Sequence, residues 1–299
     1  MIHGIINVYK EKGFTSHDVV AKLRGIVGQK KIGHTGTLDP DATGVLPVCL
    51  GKATKLCDLL TDKNKTYEAV LLLGKTTDTQ DITGEVLEEK STEALTEEKV
   101  REAIEGFIGD YEQIPPMYSA LKVNGKKLYE LAREGKVIER KARPVKILDI
   151  QILEIDLPKV RMEVSCSKGT YIRTLCHDIG EKLGCGGCME SLIRTRVSTF
   201  RIKDAKTLNE IEALKQEGKL AELLVPIDAM FPSYPKITVK DDWKAFAKNG
   251  NPLDLKMLKE ACGQDEETQV RLYDESGKFI AIYQWKEKKY HIVKMFFNE

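Results

Sequence analysis

The sequence predicts an α+β protein with a small β-rich unit at its C-terminal end, and three observations carry that reading. Some segments repeat apolar residues at helical spacing, and others alternate apolar and polar residues as half-buried strands do. Past residue 230 the texture changes, with Phe231-Pro232-Ser233-Tyr234-Pro235 reading as a linker before short strands and turns. The 299 residues, 41% hydrophobic and 31% charged, suffice for one large domain with a companion and exclude intrinsic disorder. We place the boundary between residues 1–233 and 234–299.

Taken in order, Thr15-Ser16 opens a helix through Val27. Val19, Val20, Leu23 and Val27 share a face, Thr15 and Asp18 form a capping box, and Gly28 is a stop. Gly44–Gly51 reads as a short apolar strand interrupted by Pro47, leading into a helix with Ala53, Leu56, Cys57 and Leu60 on one stripe. Tyr67–Leu73 is a buried strand. Thr96 opens a helix carrying Val100, Ile104 and Phe107, closed by Gly109. Arg143–Ile155 and Val160–Cys166 read as strands, and Thr170–Leu183 as a helix with Ile172, Cys176, Ile179 and Leu183 inward. In the C-terminal unit we expect a helix over Asp241–Lys248 and strands at Val270–Tyr273, Phe279–Trp285 and Tyr290–Phe296, the first two joined by a turn at Asp274–Lys278.

Net charge is +1, but the charge is unevenly laid out. Residues 1–35 hold six basic against two acidic residues (+4), and residues 113–146 nine against three (+6). Between them, residues 78–112 hold twelve acids against three bases (−9). Such runs are ordinarily solvated faces; here they also suit a polyanion-facing surface with an acidic face opposite. The N-terminus has no signal-peptide pattern and no segment reads as membrane-spanning. Seven cysteines in scattered apolar contexts suit reduced thiols, so we expect a cytoplasmic protein.

Three segments could do chemistry. Gly33–Val48 packs three glycines, two prolines, Asp39 and Asp41 into a shaped loop that is neither a Walker A nor a dinucleotide fingerprint. Lys168-Gly169-Thr170-Tyr171-Ile172-Arg173 sets a tyrosine and an arginine at a helix start, fit for an anion or a distant carboxylate. Cys176-His177 with Cys185 and Cys188 has one zinc-like spacing but lacks a second Cys pair, so we expect no metal there.

Gly33-His34-Thr35-Gly36-Thr37-Leu38-Asp39-Pro40 with Ala42–Pro47 resembles the catalytic motif of the TruB family of tRNA pseudouridine-55 synthases. Further blocks agree in order: Lys10–Ser16, Lys65-Thr66-Tyr67, Thr77–Asp81 with Gly84, Pro116–Lys122, Ala142-Arg143-Pro144, Gly169–Arg173 and Asn249–Leu253. One departure is Glu11, where the family often places proline after the lysine.

The resemblance implies a large mixed, mainly antiparallel sheet with flanking helices, split by a cleft, and a small β-barrel-like PUA RNA-binding domain. It implies isomerisation of one uridine in the T-loop of tRNA, with no cofactor. Asp39 would act on the ribose as nucleophile or base, Tyr67 would stack on the flipped uracil and help remove the C5 proton, and Arg173 would pair with Asp39. Tyr171 and Leu192 would line the pocket, His34 would enter the loop the base leaves, and Lys10 would contact substrate. The expected partner is the tRNA T-arm, with the protein a monomer needing no protein partner. Asp78 and Asp81 are left without a role. Two other classes stay open on the sequence: an RNA-folding chaperone that binds T-arms, and a zinc-dependent RNA enzyme built on Cys176, His177, Cys185 and Cys188.

Overall fold

The computed structural model describes residues 1–123, 125–260 and 262–297. In chain order the first half comprises β1 (Gly4–Lys10), α1 (Ser16–Val27), β2 (Ile32–His34), β3 (Thr43–Leu50), α2 (Cys57–Thr61), β4 (Lys65–Leu73), β5 (Lys75–Thr77), β6 (Val86–Glu89) and α3 (Glu97–Glu105). There follow β7 (Gly109–Gln113), β8 (Lys122–Val123), β9 (Lys126–Lys127), α4 (Leu128–Arg133), β10 (Arg143–Asp156), β11 (Lys159–Cys166), α5 (Ile172–Leu183), β12 (Gly187–Val197), β13 (Phe200–Arg201) and α6 (Leu208–Gln216).

Nine strands make one sheet in the order β1-β3-β12-β4-β11-β10-β7, with β2 beside β3 and β13 beside β12. It is the mixed, mainly antiparallel sheet that the resemblance implied. Its one parallel contact, β3 with β12, is two residue pairs long: Ile193 with Thr43 and Arg194 with Gly44. At that seam the two antiparallel halves of the sheet meet. Both faces of β3 are buried. Leu46, Val48 and Leu50 pack under α1 and α6 with Ile6, Val8 and Leu23, while Val45 and Cys49 face Phe200, Phe231, Ile282 and Phe296. On the other half, Leu71, Met162 and Val164 pack against Leu175, Cys176 and Ile179 of α5, and against Val100 and Ile104 of α3.

The local rules written in the sequence hold at α1, where Thr15 and Asp18 form the capping box and Gly28 takes the left-handed conformation (φ 69°). Pro47, by contrast, does not interrupt β3. The carbonyl of Pro47 accepts from Thr35 N–H and that of Asn7, its partner in β1, from Lys206 N–H. Both groups therefore point away from the shared ladder, and the missing proline N–H costs it no bond. Helix α3 ends at Gly106, not Gly109, which instead opens β7 at φ 113°. Phe107 leaves the helix to meet Tyr111 edge-on, 5.3 Å between ring centroids. Helix α5 starts at Ile172, because the Gln113 amide clamps Tyr171, accepting from its N–H (2.8 Å) and donating to its carbonyl (2.9 Å).

The C-terminal unit holds β14 (Lys236–Val239), α7 (Lys244–Lys248), β15 (Leu258–Glu260), β16 (Gln269–Tyr273), β17 (Phe279–Lys286) and β18 (Lys289–Met295). These strands form a separate sheet, β15-β14-β16-β17-β18, around Val270, Leu272, Tyr283 and Tyr290. The expected barrel is not closed: among the described residues β15 and β18 do not pair, and only a bridge from Leu253 to Tyr290 reaches β18 from outside the sheet. Helix α7 is also shorter than the expected Asp241–Lys248, whose first turn is a 3-10 turn. No helix among the described residues is long and apolar enough to cross a membrane.

Candidate active site

The loop between β2 and β3 leaves the sheet at its parallel seam and is tied down from three sides. Leu38 N–H donates to Ser16 Oγ at 2.9 Å, pinning the loop to the start of α1. Lys10 Nζ donates to the carbonyls of Pro40 (2.9 Å), Ala42 (2.6 Å) and Glu11 (3.2 Å). Arg194 donates to the carbonyls of Val45, Gly36 and Thr37. A loop held by so many bonds to its backbone presents Asp39 in one place, as a site for chemistry requires.

Asp39, its side chain 42% exposed, faces Arg173 at the first turn of α5, Oδ2 to Nη2 3.5 Å. The Arg173 side chain is 7% exposed, and its Nη1 lies 3.6 Å from Asp81 Oδ2. Nη2 also donates to the Tyr118 carbonyl at 2.7 Å. One guanidinium thus bridges two carboxylates. Asp81 is oriented in turn, its Oδ1 accepting from Thr79 Oγ1 (2.9 Å), Thr83 N–H (3.0 Å) and Thr83 Oγ1 (2.5 Å). Asp78 accepts from Glu85 N–H and the Tyr118 hydroxyl. The acidic stretch therefore does not lie wholly on an outer face: Glu97, Glu98, Glu102 and Glu105 of α3 do, while Asp81 turns into the site.

Tyr67 in β4 is buried in the same apolar cluster as Leu38, Ala42, Ile172 and Leu192. Burial pushes its phenol up to about 12, so it is neutral at physiological pH. The Tyr171 ring centroid lies 5.9 Å from the Arg173 guanidinium, and burial raises this phenol too. His34 closes β2, accepts from Gly36 N–H at Nδ1, and meets His17 edge-on at 5.4 Å. Burial, followed by His17 and Arg194, lowers its pKa and favours the neutral ring.

The structure thus brings Asp39, Arg173, Tyr171, Tyr67 and Leu192 together, with His34 at the root of the loop. It corrects Lys10. That side chain is fully buried and its three protons go to backbone carbonyls, so it braces the loop from beneath and offers no face to a substrate. Burial lowers its ammonium to about 8 against the pull of Asp39 and Asp41. The four residues of the zinc alternative do not converge either. Among the described residues no three His, Cys, Asp or Glu side chains form a metal-holding group.

Sequence reasoning missed Asp81 as the second partner of Arg173, Gln113 as the clamp on Tyr171, and Arg194 entirely. Strand β12 was not recognised, and Arg194 with Arg196 looks in sequence like a solvated face.

Comparison with known proteins settles the family. Residues 24–172 match the TruB family pseudouridylate synthase N-terminal domain, and residues 173–232 the tRNA pseudouridylate synthase B C-terminal domain. The chain belongs to the TruB family of pseudouridine synthases. It is 58% identical to the tRNA pseudouridine synthase B of Lachnoclostridium phytofermentans, over 99% of this chain and 100% of the relative. It is 48% identical to that of Alkaliphilus oremlandii, over 96% and 91%. Among solved structures it resembles an H/ACA RNP bound to a substrate RNA containing 2′-deoxyuridine (TM-score 0.73, 26% identity, 99% of this chain and 86% of that one). A Cbf5-Nop10-Gar1 complex is similar at TM-score 0.73 and 28% identity, over 99% and 85%. In this TruB-family enzyme the candidate site spans both matched regions, with Asp39 and Tyr67 in the first and Arg173 and Leu192 in the second.

Proposed function

We propose that this enzyme converts the uridine at position 55 in the T-loop of tRNA to pseudouridine, with Asp39 acting on the ribose. The observation that carries the reading is the placing of Asp39 on a braced loop against a nearly buried Arg173, beside an aromatic and apolar pocket. The substrate class draws support from the two relatives named tRNA pseudouridine synthase B.

A base inside a folded loop is out of reach, so the target uridine must leave its stack at a cost of a few kcal/mol. Stacking on an aromatic ring returns about 1–3 kcal/mol. Tyr67 and Tyr171 supply such rings, and Leu192 supplies an apolar wall. Asp39 attacks or deprotonates the ribose, the N1–C1′ bond breaks, and the free uracil turns within the pocket. C5 then bonds to C1′, the C5 proton leaves and N1 gains one, so product and substrate are isomers. The step involves no net oxidation or reduction and no phosphoryl transfer, and the reaction calls on no cofactor. A phenol with its pKa near 12 is a poor base, so Tyr67 acts first through its ring. Arg173 keeps a positive charge beside Asp39 while the charge on the sugar changes, and Asp81 fixes Arg173. His34, at the root of the loop, enters the place the base vacates.

Residues 1–233 form the catalytic unit, and 234–299 a PUA-like unit that adds RNA contacts. The enzyme works as a cytoplasmic monomer without an obligatory protein partner. Asp39→Asn tests the reading: T-arm RNA should still bind within about threefold while pseudouridine formation is lost. Conversion by the variant at the wild-type rate would overturn it.

A further inference from the structure

We propose that Arg194 is a positioning residue for this site, tying the loop that carries Asp39 to the strand that carries Tyr67; the proposal rests on the catalytic reading above. Arg194 is fully buried, 0% exposed, and among the described residues it forms no ion pair with a carboxylate. Its charge is met by backbone carbonyls: Nε donates to Val45 at 2.7 Å, Nη2 to Gly36 at 3.2 Å and Nη1 to Thr37 at 3.4 Å. Removing a guanidinium from water without a counter-charge opposes folding, and an apolar side chain of similar volume would serve a core better. Stability is therefore a poor reason for an arginine here, whereas geometry supplies a good one.

The three carbonyls come from both ends of the loop, Gly36 and Thr37 before Asp39 and Val45 after it. A planar guanidinium fork holds both ends at a fixed separation through three separate nitrogens, more rigidly than a single ammonium on a flexible stem would. The backbone of Arg194 is placed just as tightly. It is the position at which β12 pairs with Gly44 of β3 on one side and with Tyr67 of β4 on the other. Gly44 has φ 105°, and a Cβ there would sit 2.3 Å from the Arg194 carbonyl oxygen, so the loop closes directly onto this residue. Arg194 opposes part of the rise that burial causes in the Tyr67 phenol, as its cross-strand partner. One residue thus sets the distance between the group that acts on the ribose and the ring that receives the base.

The test compares single-turnover conversion of T-arm RNA, at saturating enzyme, by wild type, Arg194→Lys, Arg194→Met and Asp39→Asn. RNA affinity and thermal unfolding are measured on each. We expect Arg194→Met to slow conversion on the order of 100-fold, as for a small misplacement of reacting groups. Arg194→Lys should fall between that variant and wild type, and both should bind RNA within about threefold of wild type. Two results would overturn the proposal: both variants converting within threefold of wild type at saturating enzyme, any loss being confined to subsaturating enzyme; or Arg194→Lys losing its cooperative unfolding transition, which would make Arg194 a requirement of the fold. Activity in Asp39→Asn would instead remove the catalytic reading, so the two failures are distinguishable.

Discussion

Replacing Arg173 with methionine removes the cation that bridges Asp39 and Asp81. The two contacts, 3.5 and 3.6 Å, would each amount to about 5 kcal/mol at the effective dielectric of a protein surface. The Asp39 contact must be discounted, because that carboxylate is 42% exposed and water screens it. Asp81, 15% exposed, is the more expensive group to leave alone. Truncating one partner of such a buried pair costs about 3–5 kcal/mol, divided between stability and rate. If about 3 kcal/mol falls on the step in which Asp39 acts, conversion slows on the order of 100-fold. The C5 hydrogen is lost during the reaction, so tritium released from T-arm RNA labelled at uridine C5 reports the rate, while urea unfolding reports the rest. A double variant with Asp81→Asn should lose less than the two single losses summed, since both act through one guanidinium. Arg173→Met converting within threefold of wild type, at unchanged stability, would refute this reasoning.

Gly44→Ala should both unfold more easily, by roughly 1–3 kcal/mol, and convert RNA more slowly, because its methyl group meets the Arg194 carbonyl at a backbone φ of 105°; thermal unfolding and single-turnover assays check this. The rate should fall as pH rises through about 8, where Lys10 gives up a proton that holds the loop carbonyls. The sign for stability is opposite: the unfolded chain keeps that proton until 10.5, so between about 8 and 10.5 it binds more protons and this group's contribution rises with pH. Rate and stability measured from pH 7 to 10 should therefore part company, and a rate flat to pH 10 would count against the Lys10 brace. Binding to T-arm RNA should weaken at least about tenfold between 50 and 200 mM salt despite the net charge of +1, since the +6 of residues 113–146 meets phosphate locally; salt-independent titrations would contradict this.

What could be read from the sequence follows how local the cause is. The capping box at Thr15, the stop at Gly28 and the alternation of Val160, Met162 and Val164 are local signals, and each element lies where they put it. Strand β12 is hard to read because it begins inside Cys185-Gly186-Gly187-Cys188 and carries a pair of arginines, and only the strands on either side bury Arg194. Pro47 misled for the same reason: whether a strand tolerates proline depends on which way that residue's N side faces. In the site, the motif located Asp39, Tyr67, Arg173, Tyr171 and Leu192, and the fold brings them together. The parts that hold them, Lys10 beneath the loop, Asp81 behind Arg173 and Gln113 against Tyr171, are contacts between residues 30 to 92 positions apart. Nothing local in the sequence points to such pairs.

The central claim is that the site built on Asp39 isomerises one uridine of the T-arm. Its most direct test is to incubate T-arm RNA with the purified protein and with Asp39→Asn, and then map pseudouridine along the RNA. The account predicts pseudouridine at position 55 with wild type and none with the variant. Pseudouridine at another position, none with wild type, or equal amounts from both proteins would contradict it.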